Sequence, residues 1–171
     1  MNSKLKLKRQ IANTGLVAAL TVAGSAAAQT FPKEGNYDFT SCFSGTSNVI
    51  QFSKTHSVSI NEIVGNSRSN PPGGAFDMIA FRCVTLGATF DGKASGSYYC
   101  EGIDKDGDKF LVRGTSEGPK GKAEAIAGTG KYDGMVRTGT SESPGVFPQI
   151  KPGHHHRVQS SDGHLQAEIG W

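Results

Sequence analysis

The chain has 171 residues, with 18 basic and 15 acidic side chains, a formal charge of +3, 23 glycines and a single tryptophan. That length is one domain's worth, enough to bury a core without metal or disulfide staples. The basic excess does not argue for nucleic acid: Lys4, Lys6, Lys8 and Arg9 lie in an N-terminal segment read as removable, leaving 14 basic against 15 acidic side chains and no run of Lys or Arg.

In chain order, the four basic residues form a head. Residues 11–24 follow as a short apolar stretch interrupted by Asn13, Thr14 and Thr21, and Ser25-Ala26-Ala27-Ala28 supplies a small-residue exit. This is the pattern of a secretory signal peptide, and its apolar stretch is shorter than the ~20 residues of a spanning helix. The reading predicts a signal peptide over 1–28, cleavage after Ala28 and a single domain over 29–171. It also predicts export to the periplasm or the medium, with no membrane span after cleavage.

Beyond Gln29 no stretch holds apolar residues at helical spacing over three turns. Short alternating runs broken by Gly, Asp, Asn and Pro predict strands. Residues 36–43, 47–53 and 56–64 are three such runs. In the first, Tyr37, Phe39 and Ser41 share one face, and Asp38, Thr40 and Cys42 the other. Residues 66–74 (NSRSNPPGG) read as a long loop. Residues 75–90 and 93–103 then flank Asp91-Gly92, a two-residue hairpin signal in which both residues accept positive φ. A loop of that length fixes the register and sets Cys83 opposite Cys100. Facing Cβ atoms lie ~4.5–5.5 Å apart, close to the ~3.8 Å of a disulfide. A Cys83–Cys100 bridge is therefore expected in an exported chain, with Cys42 left over. Two alternatives stand beside it: all three cysteines buried and reduced, or Cys42 joined to one of the others.

A tight turn at Asp104-Lys105-Asp106-Gly107 leads into 108–114, so a meander runs from about residue 76 to 114. Further strands are expected at 123–128 and 135–141, and two more at 151–159 and 164–171; residues 146–150 are unassigned. The expected fold class is all-β, a single antiparallel barrel of about eight strands.

Several motifs resemble chemistry without meeting its requirements. Asp104-Lys105-Asp106-Gly107-Asp108 opens like a calcium loop, but Lys109 stands where the loop needs glycine and Thr115 where it needs glutamate. Gly128-Thr129-Gly130-Lys131-Tyr132 has the flavour of a phosphate loop. There Ala125 stands in place of the first glycine and Tyr132 in place of Ser or Thr. Both read as turns. His154 and His156, two apart on a strand, would face one side ~6–7 Å apart and could share a metal ion with a third ligand from elsewhere; a solvated loop is the alternative. No arrangement of nucleophile, base and acid stands out, and no cofactor is expected.

The stretch from 81 to 135, carrying FRC, YCEGIDKDGDKFLVR and AIAGTGKYDGM, resembles small exported bacterial proteins of the allene oxide cyclase-like, calycin-type barrel group. The resemblance implies a barrel fold; no functional residue of the cyclases is carried over. Three functions follow. The first is a barrel binding a small apolar ligand, with Phe81, Tyr98, Phe110, Ile126 and Tyr132 lining its interior. The second is an isomerase or cyclase, which needs an acidic or polar group inside the barrel, such as Glu101. The third is an interaction or inhibitor module with a filled core.

Overall fold

The computed structural model describes residues 33–145, 147–148 and 151–167. The expected leader, its cleavage point and Trp171 lie outside them. Eight strands follow one another as an antiparallel meander: β1 (Glu34–Gln51), β2 (Ser57–Ser69), β3 (Ala80–Phe90), β4 (Lys93–Ile103), β5 (Lys109–Glu117), β6 (Lys120–Gly128), β7 (Met135–Glu142) and β8 (His154–Ala167). β8 pairs back onto β1, so the sheet closes into a barrel.

Closure changes the expected strand division. β1 is one strand of 18 residues where two were expected, and β8 unites the two expected C-terminal runs. The cause is stagger: β1 pairs with β8 over Glu34–Thr46 and with β2 over Phe39–Gln51, so neighbours hold its whole length. Gly45 stays inside the strand, because strands approach so closely there that a Cβ would lie 2.3 Å from the Glu62 carbonyl oxygen. The expected third strand runs on to Ser69, which shifts the loop to residues 70–79.

The β3–β4 hairpin has the expected register. Asp91 and Gly92 take φ values of +49° and +76°, the mirror-image turn that matches strand twist. Pairing alternates outward from Phe90 and Lys93, which makes Cys83 and Cys100 a non-hydrogen-bonded pair, the closer kind. They form a disulfide across a Cα separation of 4.0 Å. Cys42 is the free thiol expected, and it is exposed on the outer face of β1, which removes the alternative of three buried reduced cysteines. Period-2 alternation turns it outward, opposite Ser41.

One end of the barrel is sealed by aromatic rings. Tyr37, Phe39, Phe81, Phe110 and Tyr132 are buried there, and the 70–79 loop adds Phe76 and Ile79, each 2% exposed or less. Phe76 adopts φ +63°, a costly conformation for an aromatic residue, and its ring packs edge-on against Tyr37 and Phe110. Asp77 ties the loop down by accepting hydrogen bonds from the backbone N–H groups of Ser69 and Gly73.

The two turn motifs that mimic calcium and phosphate loops fit into one another at this end. The Lys131 ammonium lies 2.6 Å from Asp104 Oδ2 and 3.0 Å from Asp106 Oδ2. It sits among the carboxylates that suggested a cation site. The Lys131 N–H donates to Asp108 Oδ2, and Gly130 sits so close that a Cβ would lie 1.9 Å from Asp108 Oδ1. Asp104 Oδ1 accepts from the N–H groups of Asp106 and Asp108. The two turns form an ion-paired clasp.

Candidate ligand-binding chamber

Above the aromatic seal the barrel is hollow. A cavity of about 420 Å³ runs from Phe39 and Phe81 to residues beside the turns of the opposite end, among them Thr89, Ala94, Gly118 and Pro119. The same period-2 alternation that fills the sealed end with rings lines this half with small polar groups. β1 and β2 contribute Ser41, Ser47, Ser59 and Asn61. Thr85, Ser116, Ser141 and Ser161 add hydroxyls from β3, β5, β7 and β8. The apolar portion of the wall is Phe43, Ile63, Val112 and the Cys83–Cys100 disulfide.

Serine, glycine and alanine on the inner face leave room that larger side chains would fill. Where glycines do meet large side chains, the fit is tight. A Cβ on Gly139 would lie 1.8 Å from Tyr37 Oη, and one on Gly114 would lie 2.2 Å from Tyr98 Cζ. Both tyrosines therefore lie flat against backbone, and burial raises both phenol pKa values above the ordinary range.

Arg137, on β7, is 5% exposed and lies between the seal and the chamber. Its guanidinium stands over three rings, 4.8 Å from the centroid of Tyr37, 5.0 Å from Phe76 and 5.4 Å from Phe39. The Tyr37 oxygen takes one of its hydrogen bonds. Its Nε–H is buried without an acceptor among the described residues. The sequence carried a signal for this placement: Met135, Arg137, Gly139 and Ser141 alternate on one face, and the first and last of them are buried. An arginine runs against that signal, because an interior position takes its charge out of water.

The expected ligand-lining residues divide. Phe81 and Tyr98 line the chamber. Phe110 and Tyr132 are buried in the seal, with ring centroids 4.9 Å apart, and burial foremost, with Asp104 next, raises the Tyr132 phenol pKa. Ile126 is 42% exposed on the outside. It is the extra residue of a β-bulge: Leu111 pairs with Ala127 and Val112 with Ala125, so Ile126 has no partner across from it. Glu101 also faces outward, where Lys109 donates to it at 2.8 Å, and does not supply the interior acid considered for an enzyme.

His155, rather than His154 or His156, lines the chamber, with Nδ1 3.2 Å from Ser47 Oγ. Burial lowers its pKa, with Arg157 adding to the effect. His154 and His156 lie opposite Thr46 and Ser44 on β1, and among the described residues no group of three His, Cys, Asp or Glu is placed to hold a metal. Gly114-Thr115-Ser116-Glu117-Gly118 has the Gly-x-Ser-x-Gly spacing of a nucleophile elbow. It lies at the end of a strand rather than on a strand-to-helix turn, so Ser116 lacks the elbow geometry.

The fold and its chamber define a closed eight-stranded antiparallel barrel with a hollow, hydroxyl-lined interior. No family model matches the chain, and no curated protein matches it. Among solved structures it is similar to the pterocarpan synthase dirigent protein GePTS1, with 9% identity and a TM-score of 0.46 over 81% of this chain and 94% of that one. Among the described residues no helix is long and apolar enough to cross a membrane.

Proposed function

We propose that this is an exported binding protein whose barrel receives one small amphipathic organic molecule. The observation that carries the reading is the cavity of about 420 Å³ inside a barrel whose other end is packed solid. That volume is within the ~300–1,000 Å³ range of small-molecule pockets. The hydroxyl-rich wall favours an amphipathic occupant over the purely apolar one expected from sequence. The disulfide agrees with an oxidising compartment, which supports export. The hollow interior weighs against an interaction module with a filled core. The cyclase-type resemblance rests on turn motifs that here build the clasp, so it lends nothing to an isomerase reading.

The test is native mass spectrometry of protein purified from its own host, before and after denaturation. The expected result is a bound organic mass that denaturation releases. Ser59→Trp, which fills the chamber from its wall, is expected to abolish it while leaving the melting temperature within a few degrees. An occupant held equally well by Ser59→Trp would overturn the reading.

A further inference from the structure

Charge within the chamber is one-sided. Arg137 lies at its inner end, and Arg157 and His155 on β8 line it too; no Asp or Glu lines it among the described residues. The acidic side chains of the neighbouring wall point elsewhere: Glu101 and Glu124 make exposed ion pairs with Lys109 and Arg113, and Asp162 accepts from Thr140 on the outer face.

A buried guanidinium normally has a carboxylate partner, because taking its charge out of water is costly. Here three aromatic faces and one phenol oxygen support it, while the Nε–H lacks an acceptor. Rings attract the cation but accept no conventional hydrogen bond. The guanidinium fork is complementary to a planar carboxylate. The hydroxyls of Ser41 and Ser161 belong to the same chamber and supply further donors.

We propose that the ligand is an organic acid whose carboxylate binds Arg137 at the inner end of the chamber, with its body against Phe39, Phe81 and the disulfide. This rests on the chamber being a ligand site. Arg157, which also lines the chamber, would favour an incoming anion.

The test compares two probes of equal size, 1-naphthaleneacetate and its neutral amide, by isothermal titration at pH 7 against the wild-type protein, Arg137→Met and Arg137→Lys. The wild-type protein is expected to prefer the acid by about ten- to a hundredfold, the worth of a charge-assisted hydrogen bond in a desolvated site. Arg137→Met is expected to bind acid and amide alike, and Arg137→Lys to keep part of the preference. Equal binding of the two probes by the wild-type protein would sink the anion proposal and leave the chamber reading standing. So would a preference that persists in Arg137→Met. Failure of both probes to bind would overturn the two readings together. The wild-type comparison needs no variant, so it decides the matter even if Arg137→Met does not fold.

Discussion

Lys131 does the work that a bound cation does in the loop its neighbours imitate. Asp104 is only 5% exposed at its side chain, and Lys131 22%. Burial tends to raise the Asp104 carboxyl pKa, but the Lys131 ammonium and the N–H groups of Asp106 and Asp108 outweigh it and hold it below the ordinary range. Replacing Lys131 with Met leaves that carboxylate without its counter-charge. The expected loss is about 2 kcal/mol, below the full cost of breaking a buried pair because the ammonium is partly wet. Urea unfolding would measure it, and addition of calcium to Lys131→Met would show whether a true cation takes over the place. Asp77 is held low as well, by the Gly73 N–H foremost, against burial, and then by the Ser69 N–H. A carboxyl lowered on folding stabilises fully above its unfolded pKa of ~3.9 and loses that contribution as pH falls through the lower folded value. Stability should therefore drop below about pH 4 as the clasp and the loop protonate. In Asp77→Asn the drop should be shallower, as urea midpoints measured between neutral and acid pH would show.

At the scale of the element, the hairpin and the glycines make separate demands. The β3–β4 turn already sets the register, so the disulfide acts mainly on the unfolded chain. Its cysteines are 17 residues apart, and converting both to alanine is expected to cost about 3 kcal/mol without moving the strands. Thermal unfolding of the double variant would show the cost; amide exchange that remained protected along the hairpin would show the register intact. Gly139 is the opposite case. Alanine there meets Tyr37 Oη and the Asp162 carbonyl oxygen, and the expected penalty is about 1–3 kcal/mol. Combining it with Tyr37→Phe removes one of the two clashes. A double-mutant cycle should therefore return only part of the loss. The hairpin was legible because turn length and period 2 are local. The outward turn of Ile126 was legible too, since alternation puts it on the face of Lys122 and Glu124; only the bulge that leaves it unpaired follows from how β5 and β6 settle against each other.

For the whole molecule, closure is the decisive event. The β1–β8 seam joins Glu34 to Gln166 and runs for 13 residue pairs along β1. A chain ending at residue 153 would lack β8 and expose the edges of β1 and β7. It is expected to aggregate and to lose cooperative unfolding, because open edges template pairing between chains. Analytical ultracentrifugation and near-ultraviolet circular dichroism would report both; a soluble, cooperatively folding truncation would show that the first seven strands suffice. Closure also makes the chamber. The Tyr37 hydroxyl donates to the Thr138 carbonyl oxygen across 101 residues of sequence, and Arg137 reaches the rings of Tyr37 and Phe39 over a similar span.

By itself the sequence determined the all-β class, the meander, the hairpin register and the cysteine pair, because strand period and turn chemistry act between near neighbours. Phe81 and Tyr98 were placed on the inner wall by the same alternation. Only the tertiary structure decided that two apparent ligand loops form one clasp, that Glu101 faces water, and that Arg137 lies buried beside a hollow half-barrel. Each of these depends on which strands meet when the sheet closes, and the side chains they bring together are far apart along the chain.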